Sequence, residues 1–274
     1  MLESAFTFLS QGATIQEFRI SNHNIVLGFP EAKFYKTHNV PYFGETIGRT
    51  TNRVKDAQLH DLNGKTYQLH ANDGPNCLHG GKEGWGKKEF DGPRPVMRGG
   101  KEGVQYTYLS RDGEEGYPGT VECHVWYTAG KEGEVTVLDV EYQVEFAGNE
   151  CEETVVGVTN HSYFNLNPTS PTIADHLINL STTNHLALDS NSIPTGDIIP
   201  HPSAPLPKYT LHPRRQPPLL RRLLRPRSPP NHHPPRHAHR SPPTSRYTFT
   251  SSYETTSRNT EHGTGVSVLH GRAY

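Results

Sequence analysis

Between residues 13 and 200 the chain divides into short runs rich in β-branched and aromatic residues, each closed by Gly, Pro, Asn or Asp. Apolar–polar alternation with period two suits a strand that buries one face, and these turn residues recur too soon to leave room for helices. Residues 13–20 alternate in this way, and residues 24–30 form a second short run closed by Pro30. Residues 31–50 read as a loop. Residues 57–69 read as a hairpin, because Asn63-Gly64 supplies the two positive-φ positions of a tight turn between alternating flanks. Further strands are expected over 104–109, 120–127, 134–144, 154–158, 173–180 and 184–189, with a Pro/Gly turn at 193–196 leading into another. No stretch has convincing helical periodicity. The chain is therefore all-β, a sandwich or a barrel.

Near residue 201 the pattern stops. Residues 201–274 hold 13 of the 23 prolines, 12 of the 27 Lys and Arg, and only Glu254 and Glu261 of the 28 acidic residues. The preceding 200 residues then carry 15 basic and 26 acidic groups, a net charge of −11 against +10 for the remainder. Proline at the density of 201–246 forbids both sheet and helix, so the tail from 201 onward is expected to be low-complexity and disordered. Its charge fits a nucleic-acid-binding arm, and its His232-His233 pair and neighbouring histidines fit a metal-binding tract. Few aromatic rings are interleaved with the arginines, which argues against nucleic acid as a partner. The abruptness of the change also fits a frameshift or mis-assigned exon beginning near 201–212.

Composition excludes other classes. No run of about 18 apolar residues is present to span a membrane, and no GxGxxG or GxxxxGK[ST] phosphate loop occurs. Residues 1–6 lack the basic and apolar regions of a secretory leader. Cys77, Cys123 and Cys151 are odd in number and lack metal spacing, as expected of reduced thiols in the cytoplasm.

The richest stretch chemically is Thr159-Asn160-His161-Ser162-Tyr163-Phe164-Asn165-Leu166. Following a β-branched run, His161 is placed on a rigid support, where a proton-transferring group is best held. Neighbouring amides and rings suit a sugar, which needs hydroxyl partners and flat apolar faces. A lone histidine is more often a satisfied core residue, and that reading competes. His79 lies in the glycine-bearing loop 72–81, and Trp85 between glycines is either a lid or a core plug. Arg49 and Arg53 bracket Asn52. The Arg53 fork suits sugar hydroxyls, although an ion pair with an acidic neighbour accounts for it equally well.

Several of these stretches, in order and spacing, resemble the aldose 1-epimerase (galactose mutarotase) family over roughly residues 5–200: Tyr42-Phe43-Gly44-Glu45-Thr46-Ile47-Gly48-Arg49-Thr50-Thr51-Asn52-Arg53-Val54, Asn72 to Gly81 with Gly84-Trp85, Asp112 to Gly119, Thr159 to Leu166, and Ile193-Pro194-Thr195-Gly196. The resemblance implies a large antiparallel β-sandwich with an open cleft. It implies interconversion of the α and β anomers of a free aldohexose, galactose or glucose, with no cofactor and no metal. It makes His161 the general acid, and Asn52, Arg53 and His79 substrate-binding residues. It also calls for a sugar-binding Asp and a basic Glu beyond residue 200. The tail has no Asp, and Glu254 is a weak match for the base. An incomplete sandwich would leave sheet edges exposed. The alternatives are a catalytically inactive carbohydrate-binding protein and a mutarotase of sugar phosphates, for which Arg49 and Lys82 are the extra cations.

Overall fold

The computed structural model describes residues 4–20, 23–38, 41–133, 135–167, 169–174, 176, 184–200, 249–250 and 267–273. In chain order the elements are β1 (Ser4–Leu9), β2 (Thr14–Ile20), β3 (His23–Asn24), α1 (Ala32–His38), β4 (Thr46–Ile47), β5 (Gln58–Leu62), β6 (Lys65–Gln68), β7 (Asp91–Arg98) and β8 (Lys101–Ser110). They continue with β9 (Val121–Glu132), β10 (Val135–Phe146), β11 (Thr159–Asn160), β12 (Asn184–Leu188), β13 (Pro194–Pro200), β14 (Phe249–Thr250) and β15 (Ser267–Ala273).

The backbone of the molecule is an antiparallel six-stranded sheet in the order β14-β15-β10-β9-β8-β7. Strand β9 alternates as its sequence requires: Val121, Cys123, Val125 and Tyr127 are buried on one face, while Glu122 and His124 stand on the other. A smaller sheet, β1-β2-β3, lies against the buried face. Phe8 stacks on Tyr127 with ring centroids 4.5 Å apart, and the Tyr127 hydroxyl donates to the Ala13 carbonyl at 2.5 Å. Two sheets face to face with rings interdigitated between them make a sandwich. Each fully buried side chain such as Val125 or Val137 contributes about 1.5–3 kcal/mol to that core.

The expected hairpin around Asn63-Gly64 is present: Leu62 pairs with Lys65 across it, and both turn residues take positive φ. Strands β8, β9 and β10 fall where alternation places them. Strand β7 carries Pro93 and Pro95 and sits at the edge of the sheet, where a missing N–H costs no ladder bond.

Several local expectations are corrected. Residues 31–50 are not all loop: α1 forms there, too short for periodicity to reveal, and it buries Tyr35, whose hydroxyl accepts the Phe29 N–H at 3.0 Å. Strand pairing over 24–30 reduces to β3 and a single bridge from Val26 to Phe164. Residues 154–158 form no strand. One backbone bond, Gly157 N–H to the Arg49 carbonyl, anchors them, and pairing begins only at β11 against β4. Ile173, Ala174 and His176 lie in a turn, and the rest of that expected strand falls outside the described residues. The turn before β13 comes earlier than Pro194, because the Asp189 carboxylate caps the N–H groups of Asn191 and Ile193.

Residues 201–248 and 251–266 lie outside the described residues, and with them the reading of the proline-rich stretch. Within the stretch beyond residue 200, Ser267–Ala273 pairs with the run Leu138–Val144 of β10. The last proline is Pro243, so nothing in that final segment opposes a strand.

Candidate functional site

The short pair β4–β11 brings the two histidine-bearing segments together. The His161 N–H donates to the Glu45 carbonyl at 2.9 Å, and the Asn160 side-chain amide donates to the Gly44 carbonyl at 2.9 Å. His161 is thereby fixed beside the segment that leads into Arg49 and Arg53.

His79 arrives on a different support. It sits at φ 56, just before Gly80 at φ 82, in a loop pinned by Asn72, whose amide donates to the Leu78 and Gly81 carbonyls at 2.9 Å each. Gly80 is required here, because a Cβ would stand 1.8 Å from the Gly48 carbonyl oxygen. Glu115 holds the far side of the loop by accepting the N–H groups of Lys82 and Glu83. Trp85 is a plug, not a lid: it is 1% exposed and packs across Gly48.

The two imidazoles meet edge to face with centroids 5.0 Å apart, both half-buried. Tyr42 touches both, at 4.7 Å from His79 and 5.8 Å from His161, and the partly exposed Tyr163 lies 5.2 Å from His161. Nδ1 of His79 is 2.6 Å from the Thr51 carbonyl. A carbonyl can only accept, so Nδ1 carries the hydrogen and Nε2 of the neutral ring keeps its lone pair.

Burial is the main force holding the His79 imidazole below its ordinary value. The Thr51 carbonyl opposes this, and the charges of His161, Arg53 and Lys87 add to it. His161 is also depressed, first by burial and then by the Lys87 charge. Both rings therefore favour the neutral state near pH 7.

Arg53 donates through Nε to Asp73 Oδ2 at 2.7 Å, one edge of its fork only. The ion-pair reading of this arginine has its acidic neighbour in Asp73, and the Arg53 charge also acts on His79. Asn52 is exposed, with its side-chain oxygen accepting the Arg53 N–H at 2.8 Å. The structure thus groups Arg53, His79 and His161, and puts Asn52 at their margin.

Arg49 has a different fate. It is 1% exposed, and its guanidinium donates to the carbonyls of Pro118, Gly119 and Ser110 and to the Ser110 hydroxyl. It braces the 110–119 turn and cannot meet a phosphate. This removes one of the two cations expected for a sugar-phosphate site, and leaves Lys82 exposed on its loop.

Sequence reasoning missed the floor of the site. Lys87 lies over the Tyr42 ring at 4.3 Å and donates to both oxygens of the fully buried Glu45, at 2.8 Å each. No local pattern joins residues so far apart in the chain. Glu254 and Glu261, the tail carboxylates, lie outside the described residues.

The aldose 1-epimerase family model matches residues 3–231. Galactose mutarotases of Sus scrofa and Homo sapiens are each 38% identical over 198 residues, covering 70% of this chain and 54% of theirs. The bifunctional protein GAL10 of Pachysolen tannophilus is 36% identical over 196 residues, 69% of this chain and 28% of its own. Among solved structures, galactose 1-epimerase from Lactobacillus acidophilus aligns with a TM-score of 0.61 at 26% identity, covering 72% of this chain and 55% of that one. The GalM/aldose epimerase homologue from C. elegans aligns at 0.60, also 26% identical, covering 72% and 62%. The chain spans about half the length of the curated mutarotases it matches.

Proposed function

Because the chain belongs to the aldose 1-epimerase family, we propose that it interconverts the α and β anomers of a free aldohexose, galactose or glucose, in the cytoplasm. The observation that carries this reading is the meeting of His79 and His161 at 5.0 Å beside Arg53. Tyr42 and Tyr163 offer flat apolar faces to a pyranose ring, and the polar groups beside them offer partners to its hydroxyls.

Ring opening needs a proton removed from the anomeric hydroxyl and one delivered to the ring oxygen. His161 is the group for the second step. A protein carboxylate brought near it would raise its proton affinity, which burial and the Lys87 charge hold low. His79, with its Nε2 lone pair, accepts a hydrogen bond from a sugar hydroxyl. Arg53 and Asn52 donate to others and fix the ring in place. After opening, rotation about C1–C2 presents the other face of the aldehyde, and the same groups work in reverse. The family resemblance calls for a basic Glu beyond residue 200, where this sequence offers only Glu254 and Glu261, so turnover depends on whether one of them serves.

A second reading is binding without turnover. It is favoured by the state of the carboxylates described beside the site: Glu45 is held by Lys87, and Asp73 is held by Arg53. Polarimetry on freshly dissolved α-galactose and α-glucose, together with calorimetric sugar titration, separates the two. Faster decay of rotation supports the epimerase. Heat of binding without faster decay identifies the binding protein, and neither signal defeats both.

A further inference from the structure

On the outer face of the main sheet, away from the histidine cleft, the His124 imidazole stands between two carboxylates. Its Nε2 lies 3.2 Å from Glu122 Oε2 and 3.6 Å from Glu145 Oε1. Glu122 on β9 and Glu145 on β10 are directly opposed in the antiparallel register. Like charges in that relation repel, and a cation between them removes the penalty. The opposite ring nitrogen, Nδ1, is occupied by neighbours on β8: Thr107 Oγ1 at 3.1 Å and Gln105 Nε2 at 3.2 Å. Thr107 Oγ1 can accept the Nδ1 hydrogen of a ring that ligates through Nε2, whereas Gln105 can do so only with its amide turned to present the oxygen.

We propose that Glu122, His124 and Glu145 bind a divalent transition ion of the zinc type, in a three-ligand site completed by water. Bonds of about 2.0–2.2 Å in a tetrahedron set neighbouring ligand atoms about 3.3–3.6 Å apart. The two Nε2–oxygen separations match that edge, and all three ligand atoms lie within 4.8 Å of one another. One imidazole with two carboxylates selects Zn2+ or Co2+ over Mg2+ and Ca2+, which prefer oxygen alone. The ion ties β9 to β10 across the sheet. Sequence spacing conceals the set, because Glu122 and His124 share a strand face while the third ligand comes from the next strand.

A reporter is built in. The Trp126 ring is 5.5 Å from His124, and the other of the two tryptophans, Trp85, is a plug beside the cleft. The test is a Co2+ titration of the metal-stripped full chain, followed by tryptophan emission and thermal midpoint. The expected result is saturable quenching at micromolar Co2+, reversed by excess Zn2+, lost in Trp126→Phe, and accompanied by a rise in midpoint. His124→Gln abolishes the quenching. Glu122→Gln and Glu145→Gln, which preserve shape, each weaken the apparent affinity by about tenfold or more. Quenching unchanged in these variants overturns the site. So does calorimetric metal uptake without quenching, which assigns the metal to histidines elsewhere in the chain.

Discussion

His79 and His161 contact each other edge to face at 5.0 Å, each carried on a support that does not depend on the other. One stands on a loop pinned by Asn72 and Glu115, the other on β11 where it pairs with β4. Replacing either ring should therefore change chemistry more than fold. In the proposed epimerase, His161→Ala lowers the polarimetric rate constant by about 100-fold or more, the usual worth of a positioned acid. His79→Gln raises KM more than it lowers kcat. Circular dichroism unchanged with activity lost supports the assignment, whereas full activity in His161→Ala removes it.

The depressed histidines make stability pH-dependent. Both folded values lie below the ordinary one, so the unfolded chain takes up protons first as pH falls. Their contribution is complete above the unfolded value of about 6.5 and is lost as pH drops toward the folded midpoints. Urea midpoints should therefore fall between about pH 7 and pH 5, and the fall should flatten in a His79→Gln/His161→Gln double variant. An undiminished slope in that variant places the effect elsewhere.

The Glu45–Lys87 pair should behave as a buried ion pair with one partner near the surface: Glu45 is wholly enclosed and the Lys87 side chain is 25% exposed. Lys87→Met strands the carboxylate and costs about 3 kcal/mol, whereas Glu45→Gln leaves a lysine that reaches water and costs about 1–2 kcal/mol. The double variant should recover part of the loss, a coupling readable in a denaturation cycle. Lys87→Met also removes a charge that depresses His161, so the NMR titration midpoint of that ring should rise. Strict additivity of the two single changes would contradict a direct pair.

The β12–β13 hairpin leaves Leu186, Leu188 and Ile198 more than half exposed, at 52%, 56% and 68%. An apolar two-stranded edge of this kind promotes association. Leu186→Lys with Ile198→Lys should reduce light scattering on concentration, while changing unfolding free energy by no more than about 0.5 kcal/mol per site. Scattering that persists points to another surface.

The change of composition near residue 201 suggests a frameshift or a mis-assigned exon from about 201–212 onward, against which stands the family match that runs to residue 231. Sequencing the transcript across this junction is the check, and a clean in-frame read of the same residues ends the idea.

Much of the architecture was legible in the chain itself. Strands β8, β9 and β10 and the Asn63-Gly64 hairpin follow from period-two alternation and from two residues tolerant of positive φ, both local properties. His79 and Arg53 are singled out only by the resemblance to the family, since their local sequence fits a turn histidine and an ion pair as well. What alternation could not reveal was pairing. Residues 154–158 look like a strand yet find no ladder partner among the described residues, and a helix of two turns lies where no periodic signal can build up.

By itself the sequence determined which residues alternate, where the chain can turn, and which side chains are able to carry protons. Tertiary structure alone decided that Arg49 would vanish beneath three carbonyls while Arg53 stayed at the cleft, that Lys87 would answer Glu45, and that Glu145 would reach His124. The physical reason is range. Steric and propensity effects act within a few residues, whereas burial and charge pairing depend on distances in space that only the closed sandwich establishes.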